Sequence, residues 1–567
     1  TAPGITLNGR SVGGRKTLSI RGADDKHTLM LIDGKRISST DDTIGHSDYQ
    51  YGWVAMDQIE RIEIVRGPMS ALYGSEAVGG VINIITKQAS KDWHGSFNAR
   101  GDVQKGSGGN GHLFSAQVGG GLGEMFDLRL GVEQFRSSPT PSKDDRGVSS
   151  IEGHDRENGN LQLGFTPIEG QRLQLDVLHG DETLDRHQKN TAGTYYLDSY
   201  SLERRQQSLA WLADWSALSS ELRYSQATFD VTNKRTNGVA PTRDQRLEDK
   251  VWEGSLAFAL GSKHFLTLGA EHREEYLENA GLAGGSDEVN HKALYVQDEI
   301  QLADSLSLTL GARLDKHGIF GSETSPRAYL VWSATPELTI KGGYGEAFRA
   351  PTLKQISPNY VGAEGPHTFY GNADVKPETS RSFELGADWR NDTTALTATI
   401  FHNQIKDLIY SNLIRQVGVR RIYEYDNISR ARIYGLEMSA EHHFGEGFST
   451  GASLTWLDAR DTDSHDRLTG RPDVVFTPNL QWQGEQLGAR LEWQYTGKQW
   501  LKNSASKLER APGYSLVNLS GSYKINDSFK LRSGVNNLGN TRLENKSDLF
   551  SYIEQPRTVW IGVEAGF

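Results

Sequence analysis

A period of two runs almost unbroken from Trp93 to Phe567. Leu306, Leu308, Leu310, Ala312 and Leu314 alternate with Ser307, Thr309, Gly311, Arg313 and Asp315. Leu173, Leu175 and Val177 alternate with Arg172, Gln174 and Asp176, and Phe529, Leu531 and Val535 with Lys530, Arg532 and Asn536. Successive side chains of a strand point to opposite faces, so each such strand has one dry face and one charged face. No stretch reaches the ~20 apolar residues of a spanning helix, which excludes a helical membrane protein. It does not exclude a membrane barrel, whose apolar face is diluted by the alternation.

The connections alternate in length. Short turns fall at Pro167–Gly170, Gly261-Ser262, Asp304-Ser305, Pro336-Glu337, Asn391-Asp392, Gly445–Gly447, Gly484-Glu485 and Asn526-Asp527. Long polar segments lie near 136–156, 183–200, 277–290, 347–380, 411–421, 460–472, 498–512 and 540–555. Short turns on one rim and long loops on the other describe an outer-membrane barrel. About 475 residues at roughly 20–24 per strand and connection predict an antiparallel barrel of about 22 strands, a size whose lumen is plugged. The last strand alternates Val559, Ile561, Val563, Ala565 and Phe567 with Trp560, Gly562, Glu564 and Gly566. Its terminal aromatic resembles the assembly signal of bacterial outer-membrane proteins.

The first ninety residues read differently. Arg61–Val65 and Val81–Thr86 are β-rich runs separated by GPMSALYG, Gly67–Gly74. Pro just inside a start and Gly just past an end mark one short helix. Ile20-Arg21-Gly22 and Leu29–Ile32 read as short strands, Asp33-Gly34 as a hairpin turn and Ser38–Tyr51 as a loop. The stretch RIEIVRGPMSALYGSEAVGGVINIITK (Arg61–Lys87), with LSIRG (Leu18–Gly22) and LIDGKR (Leu31–Arg36) upstream, resembles the plug domain of TonB-dependent outer-membrane receptors. Within the barrel region GYGEAFRAPTL (Gly343–Leu353), KPETSRSFELGADW (Lys376–Trp389), ARIYGLEMSAE (Ala431–Glu441) and VNNLGN (Val535–Asn540) extend the resemblance over nearly the whole chain, with catecholate siderophore receptors of the enterobactin and colicin I type as its nearest branch.

The resemblance implies an α+β plug over residues 1–90 inside an all-β barrel over 91–567. It implies import of a scarce iron chelate, an Fe(III)-siderophore of catecholate type, across the bacterial outer membrane, driven through TonB and its inner-membrane energy complex. No enzyme and no cofactor is expected. Outer-membrane lipid and lipopolysaccharide are the implied surroundings, a bacteriocin or phage is a secondary partner, and a monomer is the expected state. The family's amino-terminal plug segment, with the box that binds TonB, has no counterpart here, and no signal peptide is present; a mature or trimmed form is expected. In the family, plug arginines meet wall glutamates and hold the plug. The matching residues are Arg21 and Arg66 with Glu384 and Glu437. Parity agrees, since Phe383 and Leu385 oppose Glu384, and Leu436 and Met438 oppose Glu437.

Candidate ligand contacts on the plug apex are Arg36, Asp41, Asp42, His46, Asp48, Tyr49 and Trp53. On the loops they are Arg349, Tyr360, His367, Tyr370, Arg420 and Arg421. Arginine with aromatic rings suits an anionic ferric complex. Asp42, His46 and Asp48 suit a divalent cation better. That keeps zinc, copper, cobalamin and haem as alternative cargoes, the last through His46 with His367. The chain has no cysteine, which removes thiolate sites and disulfides. A net charge of −11 argues against nucleic acid. No nucleotide loop, HExxH or Gly-x-Ser-x-Gly elbow occurs. An adhesin would have no use for a plug, and a barrel enzyme would show a Ser/His or Asp/His set at its rim.

Overall fold

The protein is described from a computed structural model, which covers every residue except Thr1, Asp42, Gly365 and Pro366. Twenty-two antiparallel strands close into a barrel, from His94–Gln104 to Thr558–Gly566. The last strand pairs with the first, Val559 opposite Val103 and Gly566 opposite Ser96, so no edge is left unpaired. The alternation sets the faces. Leu314 is 52% exposed on the outer wall, while its neighbours Arg313 and Asp315 are buried inside.

All eight predicted short turns connect strands, and two more occur at 123–125 and 215–217. Two predicted loops are instead strand. The segment near 183–200 belongs to Gln171–Lys189 and Tyr195–Asp214, and that near 411–421 to Thr394–Val417 and Arg420–Gly445. A tilted strand crosses a bilayer in ~10 residues. The excess continues as paired ladder beyond the membrane, where both faces can be polar.

Inside the barrel lies a four-stranded sheet in the order Lys35–Ile37, Thr28–Ile32, Gly80–Thr86, Ile59–Arg66. Asp33 and Gly34 both have positive φ and join the first pair by a two-residue turn, as Asp-Gly predicts. A four-residue helix, Ser70–Tyr73, follows Pro68 and ends at Gly74. At Gly80 a Cβ would stand 2.3 Å from the Val65 carbonyl, so only glycine permits that pairing. The predicted strand Ile20-Arg21-Gly22 is corrected. The strand is Lys16–Ile20, and Arg21 turns off it at φ +53°. A left-handed arginine is uncommon and needs its surroundings to hold it. Its amide donates to the Gly4 carbonyl at 2.7 Å, and its side chain is fixed by the wall.

The lumen face is not uniformly wet. Leu178, Leu202, Phe229, Val231 and Leu247 point inward and pack on Met30, Ile32, Ile44, Tyr49 and Trp53 of the plug. A second apolar cluster sets plug Ala23 and Val78 against Phe401, Ile433 and Leu457, so the plug is seated by apolar burial on two sides and by ion pairs beside it.

Candidate functional site

Arg21 is buried between two wall strands. Its Nε and Nη2 each donate to Glu437 at 3.0 Å, and Nη1 donates to Glu384 Oε2 at 2.6 Å. The guanidinium also stacks on Phe401, 4.4 Å from the ring centre. Glu384 in turn accepts from the Tyr329 hydroxyl at 2.7 Å. Arg66 is looser: it lies 3.6 Å from Glu437, and its Nη1 donates to the Pro3 carbonyl at 2.8 Å.

A second contact was missed in the sequence. Glu378 has no exposed surface. It receives plug Lys26 at 3.0 Å, plug His27 at 2.5 Å and the Ile409 amide at 2.9 Å, with wall Arg349 at 3.6 Å. Its signal was present: Glu378 shares inward parity with Glu384 in the same strand. Plug Asp24 meets Arg471 of the long loop after Phe448–Asp461, and the Arg471 Nε also donates to the Gly22 carbonyl at 3.1 Å. That guanidinium outweighs burial and holds the Asp24 carboxyl well below the usual range.

The apex residues do not form one ligand set. Arg36 turns inward and donates to the carbonyls of Tyr73 and Ser75 at 2.5 and 3.1 Å, which corrects its placement at the apex. Arg10 donates to Asp25 at 3.0 Å and Asp41 at 2.8 Å and meets His46 Nδ1 at 2.8 Å. Tyr49 and Trp53 are buried against Phe229. Asp42 lies outside the described residues. Of the candidate cation set Asp42, His46 and Asp48, the two described members meet arginines: Arg10 contacts the His46 nitrogen, and Asp48 faces Arg15 at 3.6 Å. Among the described residues the one grouping with metal-ligand spacing is His179, Asp181 and Glu203, on the outer wall.

Asp48 and Tyr49 border a cavity of about 550 Å³ between plug and wall, which reaches Glu152 and Glu554 in the long loops. Four cations (Arg15, Lys16, Arg156, Arg204) face four carboxylates (Asp48, Glu152, Glu182, Glu554) there. Arg15 donates to Glu152 at 2.6 and 3.0 Å, and Lys16 to Glu554 at 2.5 Å. Burial, with Glu152 adding to it against the pull of Arg15, pushes the Asp48 carboxyl up to about 6. Burial raises the Tyr49 hydroxyl to about 12.

The loop candidates separate into two places. Arg349 and Tyr360 are buried, the first at Glu378 and the second in the apolar core with Lys354 over its ring. His367 and Tyr370 sit on a hairpin, Val361–Glu364 and His367–Tyr370, that lies parallel against the strand Arg420–Gly445. There Arg420 Nη2 donates to Thr368 at 2.9 Å, the Arg421 amide donates to His367 Nδ1 at 3.2 Å, and Phe369 stacks on Tyr423 at 4.9 Å. His46 and His367 stand on different contacts and form no pair.

The family model for the TonB-dependent receptor plug domain matches residues 1–81, and that for the TonB dependent receptor-like β-barrel matches residues 134–538. The chain belongs to the TonB-dependent receptor family. It is 29% identical to the iron-regulated outer membrane virulence protein of Vibrio cholerae, over 100% of this chain and 89% of that one. It is 29% identical to the ferric enterobactin receptor of Pseudomonas aeruginosa, over 96% of this chain and 85% of that one. A solved structure of the P. aeruginosa ferric enterobactin receptor PfeA, in complex with BCV-L6, superposes with a TM-score of 0.87 at 25% identity, covering 100% of this chain and 96% of that one. As a TonB-dependent receptor this chain is an outer-membrane protein and not an enzyme. The receptor's plug is the sheet described above, and Arg21, Glu378 and Arg471 mark three of its charged contacts with the barrel.

Proposed function

We propose that the receptor imports a ferric siderophore of catecholate type, with TonB moving a plug formed by residues 1–90. The observation that carries this reading is a closed barrel whose lumen is filled by a sheet held through ion pairs. Diffusion through such a lumen is blocked, yet paired charges can be separated by an applied force and re-formed. Relatives over 96% of this chain include the ferrienterobactin receptor of Escherichia coli and the ferric enterobactin receptor of P. aeruginosa. The exposed Arg420 and Arg421, beside His367, Tyr370 and the Phe369–Tyr423 stack, supply cations and rings for an anionic chelate, and Asp48 and Tyr49 border the cavity beneath. Arg21 with Glu384 and Glu437 acts as the lock. A monomer set in lipid and lipopolysaccharide, open to bacteriocin or phage at its loops, fits a closed wall with long loops. The test is uptake of radio-iron as ferric enterobactin by cells whose only such receptor is this one. Uptake that requires TonB, and that falls with Arg420→Ala and Arg421→Ala together, is expected. Uptake of zinc or cobalamin with none of ferric enterobactin would overturn the reading.

A further inference from the structure

The outer wall carries two facing lysines, Lys292 and Lys316, that make no ion pair among the described residues. On the strands Gln245–Leu260, His264–Glu278, Ser286–Ala303 and Leu306–His317, Trp252 stands opposite His272, His272 opposite Lys292, and Lys292 opposite Lys316. Lys292 and Lys316 are exposed and alternate with the buried Ala293, Asp315 and His317, so they point away from the lumen. Opposed Cβ atoms in such a ladder lie about 5 Å apart, and like charges there are unfavourable. Nearby Lys250 has Glu248 at 3.0 Å and His272 has Glu274 at 3.5 Å. Among the described residues Lys292 and Lys316 make no ion pair.

Directly beneath that row the wall is dented. Leu222, Gly254, Ala270 and Leu294 are successive cross-strand partners. Gly254 and Ala270 form a low floor between the two leucines. The dent is a groove of about 640 Å³ running from Leu294 to Trp211 and Trp215 at the short-turn rim. A Cβ at Gly254 would meet Leu222 at 3.8 Å and the Glu221 carbonyl at 3.9 Å, both ordinary contacts, so packing does not require glycine there; its absence of a side chain keeps the floor open. Short turns mark the inner side of such barrels and long loops the outer. The charged row, near the loop end, therefore lies at the headgroup level of the outer leaflet, and the Leu294 end of the groove lies in its hydrocarbon.

We propose that this face is a binding site for a phosphorylated outer-leaflet lipid, with Lys292 and Lys316 on the phosphate and an acyl chain in the groove. An ammonium pair lacking a counter-ion takes a doubly charged phosphate, and removal of their mutual repulsion adds to the attraction. The groove selects lipid over free phosphate, which has no use for Leu294 or Gly254.

The purified receptor in detergent is exposed to dioctanoyl phosphatidate, to dioctanoylglycerol and to inorganic phosphate, and bound adducts are counted by native mass spectrometry. Phosphatidate should be retained over both others. Lys292→Glu with Lys316→Glu should cut its retention about tenfold, the sum of two charge contacts at a partly exposed surface. Gly254→Leu, which fills the floor, should cut it too, and Arg381→Glu on another stretch of wall should leave it unchanged, with circular dichroism confirming the fold of each variant. Equal retention of phosphatidate and dioctanoylglycerol, or of inorganic phosphate, would overturn the proposal. So would retention unaffected by the double charge reversal, or lost equally in Arg381→Glu.

Discussion

Two contacts tie the plug to the same barrel strand, Glu378–Arg390, and their charge counts are opposite. Arg21 brings one plug cation to two wall carboxylates, Glu384 and Glu437. Glu378 offers one wall carboxylate to Lys26 and His27 of the plug, beside wall Arg349. When the plug leaves, Glu378 keeps Arg349 and the Ile409 amide, so its wall side remains paired. Glu384 and Glu437 keep no arginine. They lose their shared cation together, although Glu384 is 18% exposed and reaches water. The Arg21 contact therefore resists release through the wall it leaves behind, and the Glu378 contact through the plug groups it strands.

The largest expected effect comes from breaking the second contact on its buried side. Glu378→Ala leaves Lys26 and Arg349 without their carboxylate in a site closed to solvent. Removing one partner of a buried pair costs on the order of 3–5 kcal/mol. Because the chain has no cysteine, Ala77→Cys in the plug core supplies a single thiol that reacts only when the plug opens. Glu378→Ala should speed its labelling in urea more than a hundredfold. An unchanged rate would mean that this contact does not hold the plug. Arg21→Ala should follow at roughly 2–4 kcal/mol, since water reaches Glu384 and relieves part of the cost. It should also raise passive conductance across liposomes, whereas Glu378→Gln, which keeps hydrogen-bond acceptors, should do so less.

A third contact sharpens the comparison because it is only half made. Asp48 has one carboxylate oxygen buried without a hydrogen bond and Arg15 at 3.6 Å. Its folded-state value of about 6 lies above the ordinary carboxylate range. The protonated form is thus the one the fold prefers. What Asp48 adds to stability is present below about pH 4 and lost as pH rises through about 6. Asp48→Asn should be neutral at pH 4 and should slow plug labelling at pH 7 by an amount worth about 1–3 kcal/mol. A variant that loses stability at pH 7 would show that the Arg15 pair dominates instead.

Most of the fold was legible because alternation is written into every strand, and closure needs nothing else. The pairing of Glu384 and Glu437 with Arg21 was legible for the same reason, since parity decides which glutamates face the lumen. Glu378 carries the same parity, but its plug partners have no sequence signal. Lys26 and His27 lie in a one-turn 3-10 segment with no periodic pattern. The apex was least legible. Side-chain type placed Arg36, Asp41 and His46 at a ligand, but the plug uses Arg36 to satisfy the carbonyls of Tyr73 and Ser75 and Arg10 to neutralise Asp41. Internal satisfaction of buried polar groups outranks availability to solvent, and it depends on contacts distant in sequence. Loop length failed for a similar reason. A polar run such as 411–421 can be strand wherever its backbone has a partner, and Thr394–Val417 has Arg420–Gly445.

The smallest expected effect tests whether the first contact is one unit or two. Arg66 stands 3.6 Å from Glu437, is about a third exposed and donates its closest hydrogen bond to a carbonyl rather than a carboxylate. A pair of that kind is worth below about 1 kcal/mol, so Arg66→Ala alone should change Ala77→Cys labelling only a few-fold. In the Arg21→Ala background the outcome should differ. Arg66 is then the remaining guanidinium at Glu437, and a freed carboxylate draws on it more strongly. The double variant should therefore lose more than the sum of the singles, and the excess measures coupling through Glu437. Strict additivity would mean that Arg66 serves the Pro3 carbonyl alone, leaving Arg21 as the sole cation of its contact.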